Sequence, residues 1–406
     1  MNAIEPGVVE RIAAAVNRAR LLETAVRLCS VYSPTGSAAE VSDQLAAMLA
    51  GEGFRVERPT GGYPAAPAVA ARYDTDRPGR VLQFDGHLDT VHLPFVPPQV
   101  IGDRLTGSGS ADMKAGVAAA IEALRVIRET GVLPAGGVLF TAHDLHESPW
   151  GDGSQLEGLI NEGYIGNAVL IPEYLRDVLA VAGRGQATWR MRIVRPGPPI
   201  HEVMRPLDEP SVIAAGAEAI RRFEQWNGEL ATLRDPWAGT ESVFVGQMHS
   251  GEIYNQYPQE CRLEGTRRWL PGRDAREVET EFRGRVQQLA HETGTEIELD
   301  YLRVRDAFYL DENDALVAAF QASLAALGKL PLAHGGKPFV DDGNTFWAKS
   351  RVAAITHGPL AGGAHTLEEW VSIDDLARVA RLYALTAAAY CGQDMANGSK
   401  PPDGTP

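Results

Sequence analysis

Cysteine is scarce. Cys29, Cys261 and Cys391 are the three in 406 residues. Their odd number and wide spacing exclude a disulfide framework and a cysteine metal site, and they point to a reducing, cytoplasmic compartment. No apolar run reaches the roughly 20 residues of a membrane span. The stretch 1–28 is charged and amphipathic and lacks the apolar core of a signal peptide. Positive charge is in deficit, with 38 Lys and Arg against 53 Asp and Glu and a formal net charge of −15. That balance argues against nucleic acid or an anionic membrane surface as partner. A small anionic substrate stays compatible where arginines line a pocket. There is no internal repeat and no heptad run.

What is present is enough for two domains. The length exceeds what one core usually supports, and 44% of the residues are hydrophobic. The pattern predicts a helix over 8–28. Ser37-Ala38-Ala39-Glu40 reads as a capping box opening a second helix to about Ala50. Strands are expected at 54–58, 68–73, 81–84, 138–141 and 168–171, with helices at 113–130 and 155–162 between the later ones. This alternation indicates an α/β domain. The texture changes near Ala182. Strands at 188–194, 242–246, 261–269 and 296–302, with helices over 209–223 and around 278–289, describe a small α+β domain over 182–305. The α/β pattern resumes with a helix striped by Leu316, Phe320, Leu324 and Leu327, a strand at 352–356 and a helix at 373–390. The catalytic domain is thus expected at 1–181 and 306–391. Residues 392–406 are Gly, Pro and polar, and read as a disordered tail.

The chemistry concentrates at strand ends, where such sheets bind ligands. The run Val81-Leu82-Gln83-Phe84-Asp85-Gly86 ends in His87-Leu88-Asp89, and the loop Gly107-Ser108-Gly109-Ser110-Ala111 delivers Asp112 at the mouth of a helix. Imidazole and carboxylate are ligands of divalent metals. Positions i and i+2 of a strand end share a side. Asp89 is therefore expected to accept from the far ring nitrogen of His87, fixing its tautomer from outside the ligand set. Further strand ends run into Ala142-His143-Asp144-Leu145-His146-Glu147, into Pro172-Glu173 and into Gly358-Pro359 followed by Ala364-His365-Thr366. Asp341-Asp342-Gly343-Asn344 reads as a turn near the site. Trp150 and Trp347 read as core packing, with an aromatic substrate wall as the other reading.

These motifs, with Asn255, Pro258, Arg268 and Leu270-Pro271-Gly272 between them, resemble in order and spacing one family of co-catalytic metallohydrolases. It comprises the aminoacylases, acetylornithine deacetylases, succinyl-diaminopimelate desuccinylases and glutamate carboxypeptidases. The resemblance implies a phosphorylase/hydrolase-like α/β metallopeptidase domain with an inserted α+β lid and dimerisation domain. It implies that His87 and Glu173 bind one metal, that Asp112 bridges two, and that Glu147 and His365 bind the other. It implies a homodimer or higher homo-oligomer in which His201 stabilises an oxyanion, and Asn255 and Arg268 hold a substrate carboxylate.

The family normally carries two adjacent glutamates here, a general base followed by a ligand. Aligning Glu147 with the ligand places His146 at the base position. His146 or Asp144 would then supply the base, although a histidine there could also ligate metal. One or two divalent ions are expected, of zinc, manganese or cobalt. The expected activity is hydrolysis of a C–N bond in a small carboxylate-bearing substrate such as an N-acyl amino acid or dipeptide. The exchanged base leaves a second reading, an aminohydrolase of nitroanthranilate type that replaces a ring amine by hydroxyl. A third is a non-catalytic binding protein on the same scaffold.

Overall fold

The computed structural model describes residues 4–147 and 149–392. The tail expected at 392–406 lies outside them from residue 393 on. The chain forms two compact units. One comprises 1–181, 310–335 and 341–406, and the other 182–309 and 336–340. The return of 336–340 to the second unit is not visible in the sequence pattern.

The first unit is built on a six-stranded mixed sheet. Its order is Arg55–Glu57, Val69–Asp74, Gly137–His143, Val81–His87, Ala168–Ile171 and Ala353–Thr356. The strands from Gly137–His143 onward run parallel. The central strands are buried almost throughout, which is why they read as short apolar runs rather than alternating ones. The helix Lys114–Thr130 is buried over nearly its whole length, and Ile373–Cys391 over much of its own. Two glycines let the backbone close around one point. A Cβ on Gly116 would meet the Pro172 carbonyl oxygen at 2.0 Å, and one on Gly358 the Glu173 oxygen at 2.1 Å. The segment carrying Glu173 is thus clamped from two sides.

The second unit is a four-stranded antiparallel sheet ordered Ser242–Ser250, Glu260–Trp269, Gly185–Val194, Glu296–Arg305. The helices Val212–Leu230 and Ala275–Thr293 complete it. Its core gathers Trp189, Phe223, Trp226 and Phe282.

Three local expectations are corrected. The first helix breaks into Pro6–Ala15 and Arg18–Cys29, because the Asn17 side chain accepts from the N–H groups of Ala19 and Arg20 and restarts it. The expected capping box at Ser37 does not form. The helix is Ala39–Gly51 with no side-chain cap of its own, and the Asp144 carboxylate takes the N–H groups of Gly36 and Ala38 instead. Asp341 and Asp342 open a helix, Asp342–Ser350, with Asp341 and Asn344 forming its capping box. No helix among the described residues is long and apolar enough to cross a membrane.

Candidate metal centre

The strand Val81–His87 delivers a fully buried His87 at its carboxyl end. The Nε2 atom of His87 lies 3.1 Å from Asp112 Oδ1 and 3.5 Å from Glu173 Oε1. On the other side of Asp112, His365 Nε2 lies 3.2 Å from Asp112 Oδ2 and 3.2 Å from Glu147 Oε2. Asp112 therefore shows one oxygen to each histidine, the arrangement a bridging ligand needs. Its backbone is held by Glu369, whose Oε2 accepts from the N–H groups of Ala111 and Asp112 at 3.1 and 3.2 Å. His365 is presented from left-handed backbone, φ 61°, a strain on the order of 1 kcal/mol for a residue with a side chain.

The electrostatics match a cluster built for cations. Burial disfavours charge on His87, but Asp112 and Glu173 hold its imidazolium well above the usual histidine range. His365 is raised to about 11, through Asp112 first and Glu147 second. Glu173 is pushed up to about 7 by burial and by the nearby Asp112. Glu147 is raised for the same two reasons. Asp112 is lowered, because its two histidine partners outweigh its burial. Glu173 Oε2 is buried with no hydrogen-bond partner among the described residues. A buried, unpartnered carboxylate oxygen among convergent imidazole and carboxylate donors fits a divalent metal. His87, Asp112 and Glu147 form one group of donor atoms within 4.8 Å of one another, and His87, His146 and Glu173 form a second.

Comparison with known proteins agrees with this geometry. A model of peptidase family M20/M25/M40 matches residues 84–389. The chain belongs to peptidase family M20/M25/M40. It is 26% identical to a succinyl-diaminopimelate desuccinylase of Methylobacterium sp. (strain 4-46), over 85% of this chain and 90% of that one. In fold it is similar to a tripeptidase from Staphylococcus aureus, with TM-score 0.77, 22% identity and coverage of 93% and 100%. It is also similar to a dinuclear metal-binding M20 peptidase from Bacillus subtilis, with TM-score 0.65, 17% identity and coverage of 92% and 97%. The chain is therefore an M20 metallo-hydrolase acting on C–N bonds, with the family's α/β catalytic sheet and separate antiparallel sheet.

Within this M20 centre, several side chains take other partners than expected. His87 Nδ1 donates to the backbone carbonyl of Asp89 at 2.9 Å, while the Asp89 carboxylate stands 3.6 Å away. That carboxylate instead accepts from the N–H groups of His146 and Glu147 and from the Thr35 hydroxyl. Asp89 thus fixes the loop that carries Glu147, and the His87 tautomer is set by a main-chain oxygen. Asp144 is occupied by the N–H groups of Gly36, Ala38 and Leu145. Those bonds give it the place of a cap on the segment that precedes the helix Ala39–Gly51. His146 is oriented by a residue the sequence reading left as a turn. Its Nδ1 lies 2.9 Å from Asp342 Oδ1, and its ring stacks on His87 with centroids 3.9 Å apart and planes 9° apart. Nε2 then faces Glu173 Oε1 at 4.0 Å. The missed signal is the cap pattern Asp341-x-x-Asn344, which marks a helix start and turns Asp342 into its first turn. Trp150 is not core. It is 52% exposed and stacks on His92 at 4.1 Å.

In the second unit, His201 and Asn255 meet, with Asn255 Nδ2 3.1 Å from His201 Nε2. The pairing of Ile200–His201 with Gln256–Tyr257 brings them together. Arg268 lies apart from them on Glu260–Trp269, half-buried, and burial together with Arg184 lowers its pKa.

Proposed function

We propose that this M20 hydrolase cleaves the amide of a small carboxylate-bearing substrate, of the N-acyl amino acid or dipeptide kind. The convergence of His87 and His365 on opposite oxygens of Asp112, completed by Glu173 and Glu147, carries the reading. His87 and Glu173 would hold one divalent ion, Glu147 and His365 the other, and Asp112 would bridge. Zinc, manganese and cobalt all suit such mixed nitrogen and oxygen donors. Bound ions of this kind polarise a carbonyl and acidify water.

His146 takes the place of the family's glutamate base. Asp342 accepts from Nδ1, so the lone pair on Nε2 is turned toward Glu173 and His87. His146 removes a proton from the water that adds to the amide carbon. It returns that proton to the nitrogen as the C–N bond breaks, giving a carboxylic acid and an amine. In the second unit, His201 with Asn255 would donate to the developing oxyanion. Arg268 is half-buried with no ion pair among the described residues, which suits it to a substrate carboxylate. A homodimer through the second unit belongs to the same proposal, and sedimentation at assay concentration tests it.

The test is turnover of N-acyl amino acids and dipeptides by metal-loaded protein, with and without chelator. Amine release that chelator abolishes supports the reading. Release of ammonia from a carboxylated arylamine, with a phenol as the other product, would favour the aminohydrolase instead. The replacement of a carboxylate base by the His146–Asp342 pair is the observation on its side. Unchanged metal content and function in His87→Ala would favour the non-catalytic scaffold.

A further inference from the structure

We propose that Asp85, His143 and Asp342 form an additional divalent-cation site, joined to the candidate centre through His146. Asp85 lies two residues before His87 on the same strand and therefore on the same face. His143 ends the neighbouring parallel strand as the register partner of His87. Asp342 opens the helix Asp342–Ser350. All three are at most 1% exposed, and their donor atoms lie within 4.8 Å of one another.

The tautomer of His143 is set as that of His87 is. Its Nδ1 lies 3.0 Å from the Asp144 carbonyl oxygen, which can only accept, so Nδ1 carries the hydrogen. Nε2 faces Asp342 Oδ2 at 3.3 Å and Asp85 Oδ2 at 3.5 Å. With no cation between them the two carboxylates, against burial, favour a proton on it, and an ion there would meet its lone pair instead. Among the described residues, neither His143 Nε2 nor Asp85 Oδ2 has a hydrogen-bond partner. The other Asp85 oxygen is taken by the Thr141 hydroxyl, and the other Asp342 oxygen by His146. Acceptors thus converge on a buried point, and burying them there costs several kcal/mol unless positive charge lies between them.

The spacing fits an ion as that charge. A direct hydrogen bond to nitrogen closes to about 2.9 Å. Donors about 2.1 Å from one tetrahedral ion stand about 3.4 Å apart. The distances here, 3.3 and 3.5 Å, match the second figure, as do the 3.1–3.5 Å separations around Asp112. One imidazole nitrogen and two carboxylate oxygens suit zinc or manganese and balance a double positive charge. An ion there would hold Asp342 by Oδ2, and Asp342 in turn would hold His146. The site does not depend on the reaction proposed above.

The experiment is metal counting on the full chain, dialysed against zinc or manganese, for wild type, Asp85→Asn, His143→Gln and His365→Ala. Asp85→Asn and His143→Gln are each expected to bind one ion fewer than wild type. The Asp85→Asn/His365→Ala double variant is expected to bind fewer than His365→Ala alone, which separates this ion from the centre around Asp112. Unchanged metal content in Asp85→Asn and His143→Gln, even with a lowered melting temperature, would mean that a proton on His143 fills the gap and would overturn the proposal. Should either variant fail to fold, anomalous scattering from wild-type crystals grown with manganese decides. A peak between Asp85, His143 and Asp342 supports the site, and no peak there overturns it.

Discussion

In the first unit His87, Asp89, His143 and Glu173 are almost wholly buried. In the second, Arg192, Arg221, Arg222 and Arg285 meet their carboxylate partners in the open. The second unit pairs its buried arginines with carboxylates of its own, although Arg267 Nε has no hydrogen-bond partner among the described residues. Arg267 faces Glu241 with both side chains fully buried. Arg195 reaches four backbone carbonyls and Glu209. The first unit instead buries carboxylate oxygens, at Glu173 and Asp85, that have no hydrogen-bond partner among the described residues. Exposed pairs contribute about 0–1 kcal/mol each and shape solubility. Unsatisfied buried charge is costly and is retained where it binds something. The difference between the units separates exposed charge that dresses a scaffold from buried charge left open at and beside the candidate centre.

That contrast can be broken at several points. His87→Ala should bring turnover to background and remove at least one ion per chain by elemental analysis, because His87 faces both Asp112 and Glu173. His146→Ala should lower kcat by about two to four orders of magnitude while metal content holds. Loss of an ion in that variant would make His146 a ligand rather than a base. Asp342→Asn should cost about 10–100-fold by loosening the same ring. In the second unit, Arg267→Ala should destabilise by about 3–5 kcal/mol in urea, because Glu241 is left buried. A cost below about 1 kcal/mol would show that Arg273, 3.2 Å from Glu241, suffices alone.

A pH effect follows from His357. Burial, with help from Arg378, lowers its pKa from 6.5 to about 3. Between those values the unfolded chain takes a proton that the folded chain refuses. Stability should therefore fall as pH drops through that window, by up to about 1.4 kcal/mol per unit. His357→Asn should flatten that slope in pH-dependent melting, and an unchanged slope would assign the acid lability elsewhere. Arg222→Ala, at the exposed end of the scale, should shift stability by less than about 1 kcal/mol.

Much of the centre was legible because its parts are local. His87 and Glu173 stand at or just past strand ends, and a glycine-rich loop announces Asp112. A pattern of a few residues suffices to mark each, and the structure brings all of them together with Glu147 and His365. The role of Asp144 was not legible. Its partners Gly36 and Ala38 lie more than a hundred residues away, so the local pattern suggested a Ser37 cap and left Asp144 as a base. Asp342 was hidden for the same reason, since 196 residues separate it from His146. The split of the first helix at Asn17 was missed differently, because the apolar stripe continues across a side chain that caps the second piece.

By itself the sequence determined the alternation of strands and helices, the types of donor available and the order in which strand ends present them. Those follow from backbone periodicity and from the chemistry of imidazole and carboxylate, which need no partner to be recognised. The tertiary structure alone decided which oxygen meets which ring nitrogen. It turned Asp89 to the loop rather than to His87, made Asp144 a cap, and gave His146 its carboxylate in Asp342. Those choices are made by burial. Once water is excluded, every donor and acceptor must find its partner among groups that only the folded chain brings within 3 to 4 Å.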